Sequence, residues 1–150
     1  MKTAVIFLFL LFVISGNISA TEIIIYNKGA TDKVKFTAAQ EKKIQEIVKD
    51  IYEKADMTLS INISKEDIKG IKKKDRCVEI IFDVSFPFSN GALGYETVKR
   101  MLIPLNGSFA GDFKNGTLNF FAGLDDYNGK EYSNTNGFKY VEQLYKVLQQ

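Results

Sequence analysis

The residue types in this 150-residue chain decide first which chemistry it can perform. The sequence contains no histidine and a single cysteine, Cys77. Without histidine, the Ser-His-Asp and Cys-His nucleophilic arrangements and zinc sites with histidine ligands are excluded. A single cysteine also excludes an intramolecular disulfide framework and a cysteine-rich metal site. The catalytic alternative that we consider is therefore a carboxylate-dependent hydrolase.

The acidic side chains with catalytic interest are Glu79, Asp83, Asp125, Asp126 and Glu131. A glycosidase needs two carboxyl groups held apart across a substrate, whereas Asp125 and Asp126 are sequence neighbours. Asp126, Asn128 and Glu131 offer oxygen ligands for calcium. That loop lacks the EF-hand spacing and contains Lys130, so we expect a solvated turn. We therefore predict no catalytic residue, no metal and no cofactor.

Aromatic side chains are the second group of interest, with 12 Phe, 7 Tyr and no Trp. Glycine, asparagine and serine are frequent in three predicted loops, residues 86–95, 106–116 and 123–137. We predict that the aromatic rings in these loops bind a partner; they are Phe88, Phe109, Phe113, Tyr127 and Tyr132. Rings beside small polar residues are typical of adaptable binding surfaces. Alternatively, these rings fold back and pin the loops to the domain.

Basic residues cluster in residues 69–76, which read KGIKKKDR. Such a run could contact anionic lipids, wall polymers or an acidic protein face, or it could simply keep a strand start solvated. The whole chain has 20 Lys+Arg against 18 Asp+Glu. This balance is too even for a protein that binds nucleic acid through many phosphate contacts, so we expect no nucleic-acid partner.

The first 20 residues resemble an export signal. Lys2 is followed by an apolar run, residues 4–14, and then by mostly small and polar residues up to Ala20. The run is short against the roughly 20 residues that span a bilayer, which favours a cleaved signal peptide over an N-terminal anchor. We predict cleavage after Ala20, a mature domain of residues 21–150 without a membrane span, and a secreted or periplasmic location.

Two capping boxes predict where helices begin. Thr37 with Gln40 precedes a helix, and Ser64 with Asp67 precedes a shorter one. The apolar residues of the first helix repeat at three and four: Ile44, Ile47, Val48, Ile51, Tyr52 and Ala55. A last helix is predicted from Phe138, with Asn136 as its cap.

A β-branched run predicts a strand over residues 22–26. Further strands are predicted over residues 58–63, 77–86, 95–105 and 117–122. In 77–86, alternation places Phe82 and Phe86 on the apolar face, toward the core, and Glu79 on the more polar face. We therefore expect an α+β fold, with a mostly antiparallel sheet of about four to five strands and two main helices packed on one face. This arrangement is similar in architecture to the exported cystatin-like inhibitors. The Gln-x-Val-x-Gly hairpin motif of that family is missing, so the similarity stops at architecture.

These patterns favour a small exported binding protein without catalytic activity. Its role would be that of an inhibitor, an immunity-type antagonist or an envelope accessory factor, and its partner would be another extracytoplasmic protein. One alternative is an extracellular glycan or small-ligand binder that uses the same rings as stacking platforms. The other is a carboxylate-dependent hydrolase of envelope polymers.

Overall fold

A computed structural model describes residues 21–59 and 62–149. The predicted signal peptide, residues 1–20, and its cleavage point lie outside the described residues. The elements in chain order are β1 (Glu22–Asn27), β2 (Ala30–Val34), α1 (Ala38–Glu53), β3 (Met57–Leu59), α2 (Lys65–Lys74), β4 (Arg76–Asn90), β5 (Gly94–Pro104), a 3-10 turn (Phe113–Asn115), β6 (Leu118–Gly123), β7 (Tyr127–Asn134) and α3 (Phe138–Leu148).

All strands belong to one antiparallel sheet in the order β2-β1-β4-β5-β6-β7-β3. The predicted α+β class and single domain are confirmed. The sheet has seven strands rather than the predicted four to five, and the described residues contain three helices.

Two strands were missed because their residues look like loop residues. Strand β2 reads ATDKV and is mostly exposed, so it shows no apolar alternation. Strand β7 reads YNGKEYSN and nevertheless buries its last four residues. The predicted loop over 86–95 is also wrong in part, because β4 continues through Pro87 to Asn90 and β5 begins at Gly94. Of the predicted strand over 58–63, residues 60 and 61 lie outside the described part.

Helices α1 and α3 pack side by side on one face of the sheet, here called the α1/α3 face. Helix α1 begins with the predicted capping box, in which the Thr37 hydroxyl accepts from the Gln40 backbone N–H and the Gln40 side chain accepts from the Thr37 N–H. Helix α3 begins after Gly137, so the predicted cap at Asn136 is wrong. The core of the domain lies between these two helices and the sheet.

Helix α2 covers the opposite face of the sheet, here called the α2 face. Its predicted capping box, Ser64 with Asp67, is present. Its two buried residues, Ile68 and Ile71, belong to a second, smaller apolar cluster with Leu102 of β5. Among the described residues, no helix is both long enough and apolar enough to cross a membrane.

Strands β4 and β5 extend beyond their neighbours as a bent hairpin arm, residues 82–99. The bend is a bulge, because Ile81 pairs with Arg100 and Phe86 pairs with Val98. Four residues of β4 therefore lie opposite the single residue 99 of β5. Bulges of this kind bend a strand and increase its twist. The bent arm packs against α1 on the α1/α3 face.

The tip of the arm is fastened to the C-terminal end of α1 by Asn90. Its side-chain amide lies 2.8 Å from the carbonyl oxygen of Tyr52 and 2.7 Å from that of Ala55. Its carbonyl oxygen accepts from two backbone N–H groups of the arm's own turn. One buried side chain thus satisfies helix-end carbonyls that would otherwise lack partners.

Candidate functional site: the arm groove and the Glu79 cluster

Two of the five predicted binding rings lie in the core. Phe88 is on β4 and Tyr132 is on β7, with 3% and 1% of their surfaces exposed. Both rings pack against the ring of Tyr52, at centroid distances of 5.4 Å. Their predicted placement in loops is therefore wrong, because the strands continue through sequence that is polar or contains proline.

The other three predicted rings hold polar segments against the domain. Phe109 packs edge-on against Phe121 at 5.9 Å, and Phe113 stacks on Phe138 at 4.7 Å. Tyr127 begins β7 and points into the α2 face. The five rings do not form one surface, since the 106–116 segment lies at the end of the sheet opposite the β4–β5 and β6–β7 turns.

A concave space of about 270 Å³ lies between the arm and α1. We call it the arm groove. Its β4 wall consists of Phe82, Phe86, Pro87 and Phe88, so one predicted binding ring does line it. Phe82 and Phe88 are held in the core, whereas Phe86 is half-buried and Pro87 is exposed. The wall is therefore apolar and rigid.

The α1 wall of the arm groove is polar. It consists of Lys42, Gln45, Glu46 and Lys49, which lie on the solvent side of the helix. Lys49 has an ion pair with Glu53 at 3.9 Å, and Lys42 has none among the described residues. The groove therefore combines an apolar floor with a rim in which cations outnumber anions.

The local sequence explains why the groove stays open. Phe86 and Phe88 keep the alternation of β4 beyond the bulge, and this alternation was the available signal that the strand continues. Helix α1 turns its apolar stripe to the sheet and its charged face to the arm. Charged side chains cannot fill the space beside the rings without losing hydration.

A cluster of polar side chains surrounds Glu79 on the α2 face. The carboxylate is 1% exposed and accepts from the hydroxyl groups of Tyr26 at 2.7 Å and Tyr127 at 2.6 Å. The ammonium group of Lys72 lies 2.7 Å from both carboxylate oxygens. The guanidinium of Arg100 is 4.0 Å away. Sequence analysis placed Glu79 on a polar face but could not show that α2 covers it.

The cluster holds Glu79 in its charged form. Burial by itself would raise its pKa, but the hydrogen bonds from Lys72, Tyr127 and Tyr26 outweigh burial and keep the pKa below its usual value. Burial and the adjacent carboxylate raise the pKa values of Tyr26 and Tyr127. None of these three groups exchanges a proton near neutral pH, so the arrangement fastens α2 to the sheet electrostatically.

A second buried carboxylate, Glu131, lies in the same row of the sheet. Successive strand pairings run from Glu79 through Leu102 and Phe121 to Glu131. Three strand spacings separate the backbones at these two positions by about 14 Å. Glu131 accepts from Asn119 at 3.0 Å, and burial raises its pKa.

The oxygen ligands considered for calcium have separate partners. Asp126 pairs with Lys65, and the amide of Asn128 donates to Glu96 and to the hydroxyl of Tyr132. Within residues 21–59 and 62–149, no group of three or more His, Cys, Asp or Glu side chains converges on one point. Asp83 and Asp125 are exposed on the bulge and on a turn, respectively.

Cys77 lies fully buried at the start of β4, under α2. Burial raises the pKa of its thiol to about 12, so it stays protonated.

Known protein families, curated proteins and solved structures were compared with the chain, and none of the three comparisons gave a match.

Proposed function

We propose that the protein is a small exported binding protein without catalytic activity, and that its arm groove receives an apolar side chain of another extracytoplasmic protein. The observation that supports this is the wall of three phenylalanines beside a lysine-containing rim. The proposal keeps Phe88 as a binding residue. It moves the binding surface from the predicted loops to the space between the arm and α1.

The open form of the groove favours a side chain over a free small molecule. Its volume is about 270 Å³ and it is half open to solvent, whereas a usual ligand pocket encloses most of its ligand. Protein interfaces concentrate their binding energy in a few large anchors that enter such fixed, apolar pockets. Phe82 and Phe88 are already held by the core, so binding would not require them to be ordered.

The rim indicates the chemistry that flanks this anchor. Lys42 and Lys49 border the groove with Glu46 as the one acidic member of its lining. A carboxylate next to the anchor would be attracted by this rim, which speeds association and selects among partners. The expected partner segment therefore carries a large apolar residue with an acidic neighbour.

The buried acids support a binding role. Glu79 is held ionised by three hydrogen-bond donors, and Glu131, three strands away in the sheet, accepts from Asn119. Each of the two carboxylates therefore has its own partners. The predicted signal peptide over residues 1–20 supports export.

The test is site-specific photo-cross-linking in the source organism's secreted and envelope proteins. A photoreactive residue at position 45 lies in the groove, and one at position 43 borders a separate depression on α1. We expect one partner to cross-link from position 45 and not from 43. Lys42→Glu with Lys49→Glu should weaken this capture at least tenfold, while Lys43→Glu leaves it unchanged. Equal cross-linking from both positions would refute the proposal.

A further inference from the structure

The outer side of α2 carries a row of lysines at a regular spacing. Lys65, Lys69 and Lys73 are four residues apart, so they lie on one side of the helix about 6 Å apart along its axis. All three are exposed. Lys69 and Lys73 also border a groove between α2 and the β1–β2 turn, here called the lysine groove.

The lysine groove is a shallow depression of about 250 Å³ that is open to solvent. Tyr26, Gly29 and Lys72 complete its lining. Gly29 has a φ of +87°, a left-handed backbone conformation in which a side chain would be strained. The β1–β2 turn that contains it lies beside the end of α2, and Lys69 and Lys73 border the space between the turn and the helix.

The charge of this surface is not balanced by its own neighbours. Residues 65–76 contain six basic and three acidic residues, whereas α1 contains three lysines and four acidic residues. Lys73 has no ion pair among the described residues. Lys65 is paired with Asp126, and Lys69 with Glu66 at 3.7 Å, and both of these pairs are exposed. Such an exposed pair contributes little and yields easily to another anion.

We propose that the lysine row and the lysine groove bind a linear acidic polysaccharide. The row places cations at a repeat that a polymer with regularly spaced carboxylate or sulfate groups can follow. The groove accepts one residue of the polymer beside Tyr26. This surface lies on the α2 face, away from the arm groove. Binding of the polysaccharide therefore does not depend on the arm groove.

Three other kinds of partner fit this surface less well. An amphipathic helix on a membrane inserts apolar residues beside its lysines, but Ile68 and Ile71 are buried against the sheet, so only charge would hold this helix there. The centre of a protein interface is depleted in charged residues and enriched in aromatic ones, and no large apolar side chain is exposed on α2. Single-stranded nucleic acid requires successive rings for stacking, and Tyr26 is the one ring that lines the groove.

The experiment measures the affinity of the purified protein for heparin, a sulfated polysaccharide, at physiological salt. Lys69→Gln with Lys73→Gln should weaken binding about tenfold, because each exposed contact contributes a factor of about two to five. The matched control is Lys43→Gln with Lys146→Gln, two lysines that border a different depression between α1 and α3. We expect this control to bind as the unchanged protein does.

Lys69→Arg with Lys73→Arg should restore most of the affinity, since it restores the charge. If the control, Lys43→Gln with Lys146→Gln, lost as much affinity as Lys69→Gln with Lys73→Gln, the proposal would be overturned. The loss would then depend on net charge alone and not on the lysine row. Tighter binding to vesicles of anionic lipid, or to a single-stranded oligonucleotide, would also overturn it. So would the absence of heparin binding at physiological salt.

Discussion

The two faces of the sheet hold their helices by different means. On the α1/α3 face, contact is made by apolar and aromatic side chains, and Tyr52 alone touches three other rings. On the α2 face, a smaller apolar cluster is joined by the buried Glu79 and its partners.

This difference explains where each face can interact with other molecules. Apolar packing on the α1/α3 face stops where the charged side of α1 meets the arm. The arm groove remains there, with Phe86 half-buried and Pro87 exposed on its β4 wall. On the α2 face, Lys72 is turned inward to Glu79, and the remaining lysines of α2 point outward. One face therefore offers an apolar site and the other a cationic one.

Loss of the Glu79 charge should have the largest effect on stability. Glu79→Gln leaves Lys72 and two tyrosine hydroxyls around a neutral group, and breaking a buried pair in this way costs about 3 kcal/mol of unfolding free energy. Urea denaturation measures the change. Glu66→Gln, which breaks an exposed pair on the same helix, should cost less than about 0.5 kcal/mol. Similar costs for the two variants would contradict the electrostatic anchoring of α2.

Removal of the Asn90 amide should have the next largest effect. Asn90→Ala leaves buried carbonyls at the end of α1 without a donor and should cost about 2 kcal/mol. Ser89→Ala, at the exposed neighbouring position, serves as the control and should be close to neutral. Hydrogen exchange should show faster exchange in the arm. If the arm of Asn90→Ala stayed as protected as before, its attachment through this residue would be disproved.

Neutralising Glu131 should have a smaller effect, of opposite sign. Its raised pKa means that the folded state favours the protonated form, so its contribution to stability is present below pH 4.5 and is lost as pH rises through the folded value. Glu131→Gln imitates that form and should raise the melting temperature at pH 7 by about 2–4 °C. The gain should vanish below pH 4.5. A lower melting temperature at pH 7 would contradict the account.

Glu79 should show the reverse pH dependence. Its lowered pKa stabilises the fold above pH 4.5, and this contribution is lost as pH falls through the folded value. The difference in unfolding free energy between the unchanged protein and Glu79→Gln should therefore shrink in acid. A difference that stays constant from pH 7 to pH 3 would show that charge is not what Glu79 contributes.

Local signals made part of this fold predictable. Both capping boxes are formed by residues three positions apart, so Thr37 with Gln40 and Ser64 with Asp67 could be recognised without tertiary information. The alternation over 77–86 likewise placed Glu79 on the more polar side of β4. That α2 covers this side depends on contacts between distant segments, which one sequence does not reveal.

The candidate site could be predicted only in fragments. Phe82 and Phe86 were assigned to the core and Phe88 to a loop, because Pro87 hid the continuation of β4. The bulge that bends the arm has no local signature, yet it brings these rings beside α1. Tyr132 was misplaced for a related reason, since β7 buries polar residues that look like a loop.

The most direct test of the arm groove is a selection from a random peptide library. The unchanged protein is compared with Gln45→Phe, which fills the groove from its α1 wall. We predict that the enriched peptides carry a large apolar residue beside an acidic one, and that they bind Gln45→Phe at least tenfold more weakly. The control is Tyr95→Ala, which removes an exposed ring outside the groove and should leave peptide binding unchanged. Peptides that bind Gln45→Phe as tightly as the unchanged protein would contradict the account.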